Sequence, residues 1–293
     1  MNAKRVVVIG DVMLDVVVRP TRQVAPTSDT PSTVRISRGG AAANLAAALA
    51  GFGHDVRYVG AAGDDVSGRT FVEDLTRSGV TCELEFTAAS TGVVVAIVAA
   101  DAERAMLSDR GANRLLTRQH VFEVLGQPVD HLHVSGYTLL DEATRATGVE
   151  AIREALGRGI STSVDVCSLA PLLEVTPARF LDASSGSTMI FANEEEAIAL
   201  SGALDGEGAA RMLSGLFSEV VVTLGAKGAL ARRDAQTFRR TSISDDVLDT
   251  TGAGDAATGA YLAARLMDQS IDDALKHAME AASRVVRVLG SLG

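Results

Sequence analysis

The sequence predicts an α/β fold: a doubly wound, mostly parallel sheet with helices on both faces and a small β-sheet set apart from it. Three observations carry that expectation. Short β-branched runs alternate with helix-forming runs along 293 residues, and such alternation with short joints builds a parallel sheet covered on both sides. Hydrophobic residues make up 47% of the chain, enough to fill a large core. Two stretches, residues 16–38 and 82–108, break the rhythm and alternate like antiparallel strands off the main sheet. With no internal repeat and no low-complexity linker, the chain reads as one domain over residues 1–293, with a discontinuous β lid from those two stretches.

The elements follow in order. Residues 6–9 are a β-branched run ending at Gly10, as a buried parallel strand reads. Residues 41–52 are rich in Ala and Leu, and Gly53 suits a helix C-terminus. Residues 56–59 form a second strand; residues 68–78 form an amphipathic helix closed by Gly79. Strands are expected at 131–134, 161–166, 189–192 and 220–224, and helices at 141–157, 194–201, 251–267 and 271–289. The stretch TGVVVAIVAADAERAML reads as a hairpin turning near Asp101.

A net charge of -10 and a pI of about 5.0 exclude a nucleic-acid-binding surface as the chain's main business. An acidic protein can still bind an anion, but only with a local device. Cys82 and Cys167 lie far apart with no CxxC partner, so neither a disulfide framework nor a cysteine metal site is expected. Reduced cysteines and an N-terminus that reads as a strand rather than a leader or membrane span point to the cytoplasm. The five histidines are scattered; His131 and His133 share a strand but lack a third ligand at metal spacing.

The chemistry concentrates in DTTGAGDAATGAYL, residues 249–262. A helix N-terminus leaves its first N–H groups without partners and carries partial positive charge. Gly252 and Gly254 let an anion approach that backbone without meeting a Cβ atom, which makes an anion cradle suited to a phosphoryl group. Asp255 repels a phosphate unless it has a task. Accepting the proton of a hydroxyl that attacks phosphorus is such a task.

This stretch resembles the C-terminal signature of the PfkB, or ribokinase-like, family of sugar and nucleoside kinases through Asp249, Thr250, Gly252, Ala253, Gly254, Asp255 and Gly259. The family's N-terminal signature is matched by Gly39, Gly40, Asn44, Ala46, Gly53 and Gly63. The resemblance implies a ribokinase-like α/β domain with a β lid. It implies Asp255 as catalytic base, and Gly252, Ala253 and Gly254 as the anion hole. It implies ATP and Mg²⁺ as cofactors and a homodimer formed through the lid.

Other residues take their expected roles partly from chemistry and partly from that resemblance. Asp11 and Asp15 follow the first strand, where ligands of open α/β sheets bind; each reads as a loop carboxylate or as an acceptor of sugar hydroxyls. Gly39, Gly40 and Asn44 bring substrate close to main chain and offer a donor and an acceptor. Arg110, in RGAN, reads as an anion contact or as surface. Asn193 and Glu196 read as a capping box, as a water-mediated Mg²⁺ site, or as both. Thr223, Gly225 and Gly228, in TLGAKG, match nucleotide contacts; that stretch is not a P-loop. Asp249 matches a potassium-binding loop of many relatives.

After the strand ending near Asp165 the chain reads DVCSLAP, where relatives often carry Asn or Arg. That weakens a claim to phosphorylated sugars. Only 4% aromatic residues and no Trp favour a sugar over a nucleoside, whose base calls for stacking. The expected activity is an ATP-dependent, Mg²⁺-requiring kinase acting on a hydroxymethyl group of a sugar. The rivals are a nucleoside kinase and a catalytically silent ligand-binding regulator. Partners are expected to be the sugar and ATP, with neither nucleic acid nor membrane.

Overall fold

The protein is described by a computed structural model covering residues 3–98, 104–243 and 252–286. Its chain runs β1 (Arg5–Ile9), β2 (Met13–Pro20), β3 (Ser32–Gly39), α1 (Ala41–Gly51), β4 (Asp55–Gly63), α2 (Val66–Arg77), β5 (Thr81–Thr87), β6 (Gly92–Val98), β7 (Arg104–Asp109) and α3 (Arg118–Leu125). It continues with β8 (His131–Ser135), α4 (Gly136–Leu140), α5 (Glu142–Gly157), β9 (Ser161–Asp165), α6 (Leu169–Val175), α7 (Pro177–Ala183), β10 (Met189–Asn193), α8 (Glu194–Ser201) and α9 (Gly206–Leu213). Last come β11 (Glu219–Thr223), β12 (Ala229–Arg233), β13 (Gln236–Arg240), α10 (Ala253–Leu266) and α11 (Ile271–Val285).

The large sheet has the order β13-β12-β11-β10-β9-β8-β1-β4-β5. From β11 to β5 every pairing is parallel, and β12 and β13 add an antiparallel edge. Strand alternation sends Val6 and Val8 to one face of β1 and Val7 and Ile9 to the other. Each pair enters a separate core. Val6 and Val8 pack with Leu45, Leu49, Phe71, Leu75, Tyr261 and Leu275, from α1, α2, α10 and α11. Val7 and Ile9 pack with Leu125, Ile152, Phe180, Ala197 and Ala209, from α3, α5, α7, α8 and α9. A strand buried on both faces needs a continuous apolar run, which is what VVVI supplies.

The second sheet, β3-β2-β6-β7, interrupts the chain twice, between β1 and α1 and between β5 and α3. Its boundaries differ from expectation. The segment from Cys82 begins in β5, which pairs in parallel with β4 at the edge of the large sheet. Cys82 and Leu84 of β5 pack into the core beneath α2, a parallel crossover that outweighs local alternation. The second lid segment therefore starts at Gly92. The expected turn near Asp101 lies outside the described residues, as do Asp249 and Thr250. The hairpin of β12 and β13 was not anticipated. Its two-residue turn is Asp234-Ala235, with φ of 48° and 65°, whereas such turns usually announce themselves by Asn-Gly or Asp-Gly.

Candidate active site

β1 pairs with β8 on one side and β4 on the other. Ser135, Asp165, Asn193 and Thr223 are the last residues of β8, β9, β10 and β11, and Asp11 lies just beyond the end of β1. Open α/β sheets bind ligands there. A cleft of about 410 Å³, measured to its open mouth, is lined by Asp165, Cys167, Asn193, Glu196, Thr223, Gly254, Asp255 and Thr258. Predicted residues from three separate parts of the sequence thus share one cavity.

Gly252 caps α10 in the left-handed region, with φ of 77°. The first helical bond closing the turn runs from Ala256 N–H to the Gly252 carbonyl, 3.0 Å. The first amides of a helix lack partners within it, and Ala256 N–H is the first in α10 for which a bond back to a described residue is seen. Among the described residues, a Cβ built on Gly254 would meet nothing within 4 Å. Asp255 sits in that first turn, and its Oδ2 accepts from Asn44 Nδ2 at 3.0 Å. Burial raises the Asp255 carboxyl, and the Asn44 hydrogen bond and the Arg38 charge oppose that rise. Asn44 comes from α1 and Asp255 from α10, 211 residues apart.

The small sheet brings Asp15 near enough to Asp255 for the charge of one to act on the other. β2 and β3 pair so that Asp15 faces Ser37 and Met13 faces Gly39. A Cβ on Gly39 would collide with the Asp15 carboxylate, so the bare residue is what leaves Asp15 its place. Gly40 has φ of 99°, and a Cβ there would lie 2.6 Å from the Asp11 carbonyl. Burial raises the Asp15 carboxyl to about 6, the Asp255 charge adds to the rise, and Arg38 opposes it.

Asp11 and Arg110 come together with each other. Arg110 donates through Nε and Nη2 to the two Asp11 oxygens, at 2.8 and 2.5 Å, and pairs with Asp141 at 2.8 Å. This guanidinium is engaged by two carboxylates. Asn113 is buried and reads the main chain, accepting from Val12 N–H at 2.7 Å and donating to the Val12 carbonyl at 2.9 Å.

Asn193 and Glu196 form a reciprocal capping box, with Glu196 N–H donating to Asn193 Oδ1 at 2.8 Å and Asn193 N–H to Glu196 Oε2 at 2.9 Å. Both residues also line the cleft. Thr223 does too, but Gly225 and Gly228 are not among its lining residues. Gly228, at φ of 99°, turns the chain against the Arg240 carbonyl, which any Cβ would strike. Lys227 meets Glu194 at 3.3 Å on the surface.

Three polar lining residues, Asp165, Cys167 and Thr258, were missed in the sequence. Asp165 is raised far above the usual carboxylate range by burial and by the charges of Glu196 and Asp255. The strand-end argument applied to Asp11 would have found it. Cys167 adopts φ of 72°. Its N–H donates to Asp165 Oδ1 at 3.1 Å and its Sγ lies 3.3 Å from Ser135 Oγ. Burial, with the Asp165 charge, keeps this thiol protonated, so it is no nucleophile. Thr258 lies one turn after Asp255, a spacing that the motif did not single out. Among the described residues, no group of three His, Cys, Asp or Glu is arranged to hold a metal alone, and no helix is long and apolar enough to cross a membrane.

Comparison with known proteins agrees with this geometry. The chain matches the pfkB family carbohydrate kinase profile over residues 3–292. It is 30% identical over 281 residues to an ATP-dependent ribose-1-phosphate kinase of Halopiger xanaduensis, covering 94% of this chain and 89% of that protein. It is 28% identical over 277 residues to the probable fructokinase-4 of Arabidopsis thaliana, covering 91% and 83%. Among solved structures it resembles an adenosine kinase from Sinorhizobium meliloti with a TM-score of 0.88 at 25% identity, covering 99% and 95%. The cradle, the paired signatures and this match over nearly the whole length lead to one conclusion: the chain belongs to the pfkB family of carbohydrate kinases.

Proposed function

We propose that this kinase transfers the γ-phosphoryl group of ATP to the hydroxymethyl group of an uncharged sugar or sugar-like acceptor. The observation that carries it is Asp255, held by Asn44 beside the first amides of α10 and near Asp15. Asp255 accepts the proton as the acceptor hydroxyl attacks phosphorus. Gly252, Ala253 and Gly254 present backbone N–H groups to the charge on the transferring group. Asp15, Gly40 and Asn44 orient the acceptor, and the small sheet screens it from water.

Mg²⁺ fits the donor end. Asp165, Glu196 and Asp255 line the cleft with no lysine or arginine among its described lining residues, and a cation bound there would favour their ionised forms, which burial opposes. The lack of a complete protein cage suits an ion that keeps its waters. Glu196 and Asn193 would hold it through water, and the bound ion would neutralise charge on the phosphate oxygens.

The uncharged acceptor is favoured because Asp15 and Asp255 are carboxylates close enough for the charge of one to act on the other, while Arg110 is paired with Asp11 and Asp141. A nucleoside acceptor is the second reading, supported by the adenosine kinase likeness. The lid also suits pairing with a second copy. By register Val34, Ile36 and Leu107 share the face opposite Asp15, and all three are exposed. Sedimentation would read the dimer.

The test is ADP release over a panel of pentoses, hexoses, sugar phosphates and nucleosides. Turnover on an uncharged sugar with Asp255→Asn reduced by at least ~10²-fold, and ATP binding retained, is the expected result. Full turnover in that variant, or turnover on sugar phosphates alone, would sink the reading.

A further inference from the structure

Arg38 sits next to the Gly39-Gly40 pair and has no part in the roles assigned above. Its side chain is 3% exposed. Strand alternation turns it to the face of β3 opposite Asp15's, toward β4, α2 and β5, where Tyr58, Asp74 and Cys82 act on its charge, as Asp15 does from β2. Its Nη1 donates to Asn44 Oδ1 at 3.3 Å, while its Nε is buried without a hydrogen-bond partner among the described residues. A buried guanidinium with an unpaired N–H is costly, and a Leu or Met of similar volume would avoid the cost. The arrangement invites a functional explanation.

The Asn44 amide supplies one. Its two ends are chemically different but similar in shape, so an amide with a single partner can settle either way round. Here the carbonyl oxygen accepts from Arg38, which leaves only the NH₂ end for Asp255. Reversed, Asn44 would turn its oxygen toward the carboxylate and repel it.

We propose that Arg38 is a positioning residue of the phosphotransfer: it locks the Asn44 amide in the orientation that donates to Asp255 and sets a fixed positive charge behind the base. The inference rests on the reading of Asp255 as base. Four other titratable side chains act on Asp255 or are acted on by it: Asp15 from β2, Asp165 from β9, Glu196 from α8 and Tyr137 from α4. Three of these are carboxylates, which disfavour the ionised base. Arg38 is the cation that opposes the rise of both Asp255 and Asp15.

The experiment measures kcat against pH for wild type, Arg38→Gln, Arg38→Lys, Asn44→Ala and the Arg38→Gln/Asn44→Ala double variant, with folding checked by circular dichroism. Arg38→Gln is expected to lower kcat by roughly tenfold or more and to move the acid limb up by about one pH unit, with the KM for ATP unchanged. Arg38→Lys, which keeps the charge and a donor, should recover most of both effects. In the double variant the Arg38 change should add little to the Asn44 loss, since the two act as one unit. An acid limb that stays in place in folded Arg38→Gln, or fully additive losses, overturns the proposal. Should Arg38→Gln fail to fold, Arg38→Met, which keeps the volume without the charge or a donor, takes its place: a raised acid limb with lowered kcat supports the proposal, and an unmoved limb in the folded variant overturns it. Failure of the kinase reading is separate: wild type would then show no ATP-dependent turnover, or Asp255→Asn would keep it.

Discussion

Asp15 is held by two opposing demands. In the proposed role of accepting sugar hydroxyls it must be ionised, yet burial and the Asp255 charge raise it to about 6. Above that pH the carboxylate is available, and below it the group becomes a donor with less accepting capacity. The KM for the acceptor is therefore expected to rise as pH falls through about 6, while the KM for ATP changes less. Gly39 protects the same group by volume, since a methyl there would push the carboxylate aside. Because that carboxylate is a movable tip, Gly39→Ala should raise the acceptor KM with a change in Tm of a few degrees or less. Steady-state kinetics and a melting curve on one preparation would check both, and an unchanged acceptor KM would contradict the placement of the sugar against Asp15.

At the scale of elements, the site is the contact between α1 and α10. Asn44 and Ala48 lie four apart on α1, as do Asp255 and Gly259 on α10, so each pair shares a helix face. A Cβ on Gly259 would stand 2.6 Å from Ala48 Cβ and 3.2 Å from Leu45 Cα. The missing side chain at Gly259 thus sets how closely the helices approach, and through that the 3.0 Å bond between Asn44 and Asp255. Gly259→Ala should cost about 1–3 kcal/mol by overpacking. It should also lower kcat by roughly tenfold or more, because misplacing a base by a fraction of an ångström is expensive. Ala48→Gly in the same chain should restore most of both losses. Full activity in Gly259→Ala alone would show that the helix spacing does not govern the base.

Across the whole molecule, polar groups inside the parallel sheet are satisfied away from the site. His131 and His133 stack along β8 with their ring nitrogens 2.8–2.9 Å from the Ser161 and Ser163 hydroxyls of β9. Burial lowers both imidazoles to about 3, so they are neutral structural groups rather than ligands. The sign follows from linkage: a folded value below the unfolded 6.5 means that the unfolded chain binds more protons between the two. Their stabilising contribution is full above pH 6.5 and is lost as pH falls toward 3. Buried carboxylates with raised values act in the opposite sense, so a global acid melt mixes the two. Nitrogen-detected NMR separates them: the two ring signals should hold still from pH 8 to about 4.5, and a midpoint near 6.5 for either would refute the burial argument.

The alternation of strands and helices, the two glycine signatures and the place of Asp255, the proposed base, were legible because each rests on local physics: periodicity, missing Cβ atoms and a carboxylate in the first turn of a helix. The strand ends that carry Asp11, Asn193 and Thr223 could be placed from short β-branched runs followed by polar residues. Long-range pairing was not legible in this way. Whether Arg110 meets a ligand or Asp11, whether β5 joins the lid or the large sheet, and whether Arg38 lies beneath Asn44 all depend on segments dozens of residues apart. The sequence by itself determined the family of chemistry, since an anion cradle and a base need only neighbours along the chain. Only the tertiary structure decided which charges remain available in the cleft, because the protein's own carboxylates and cations neutralise one another through space.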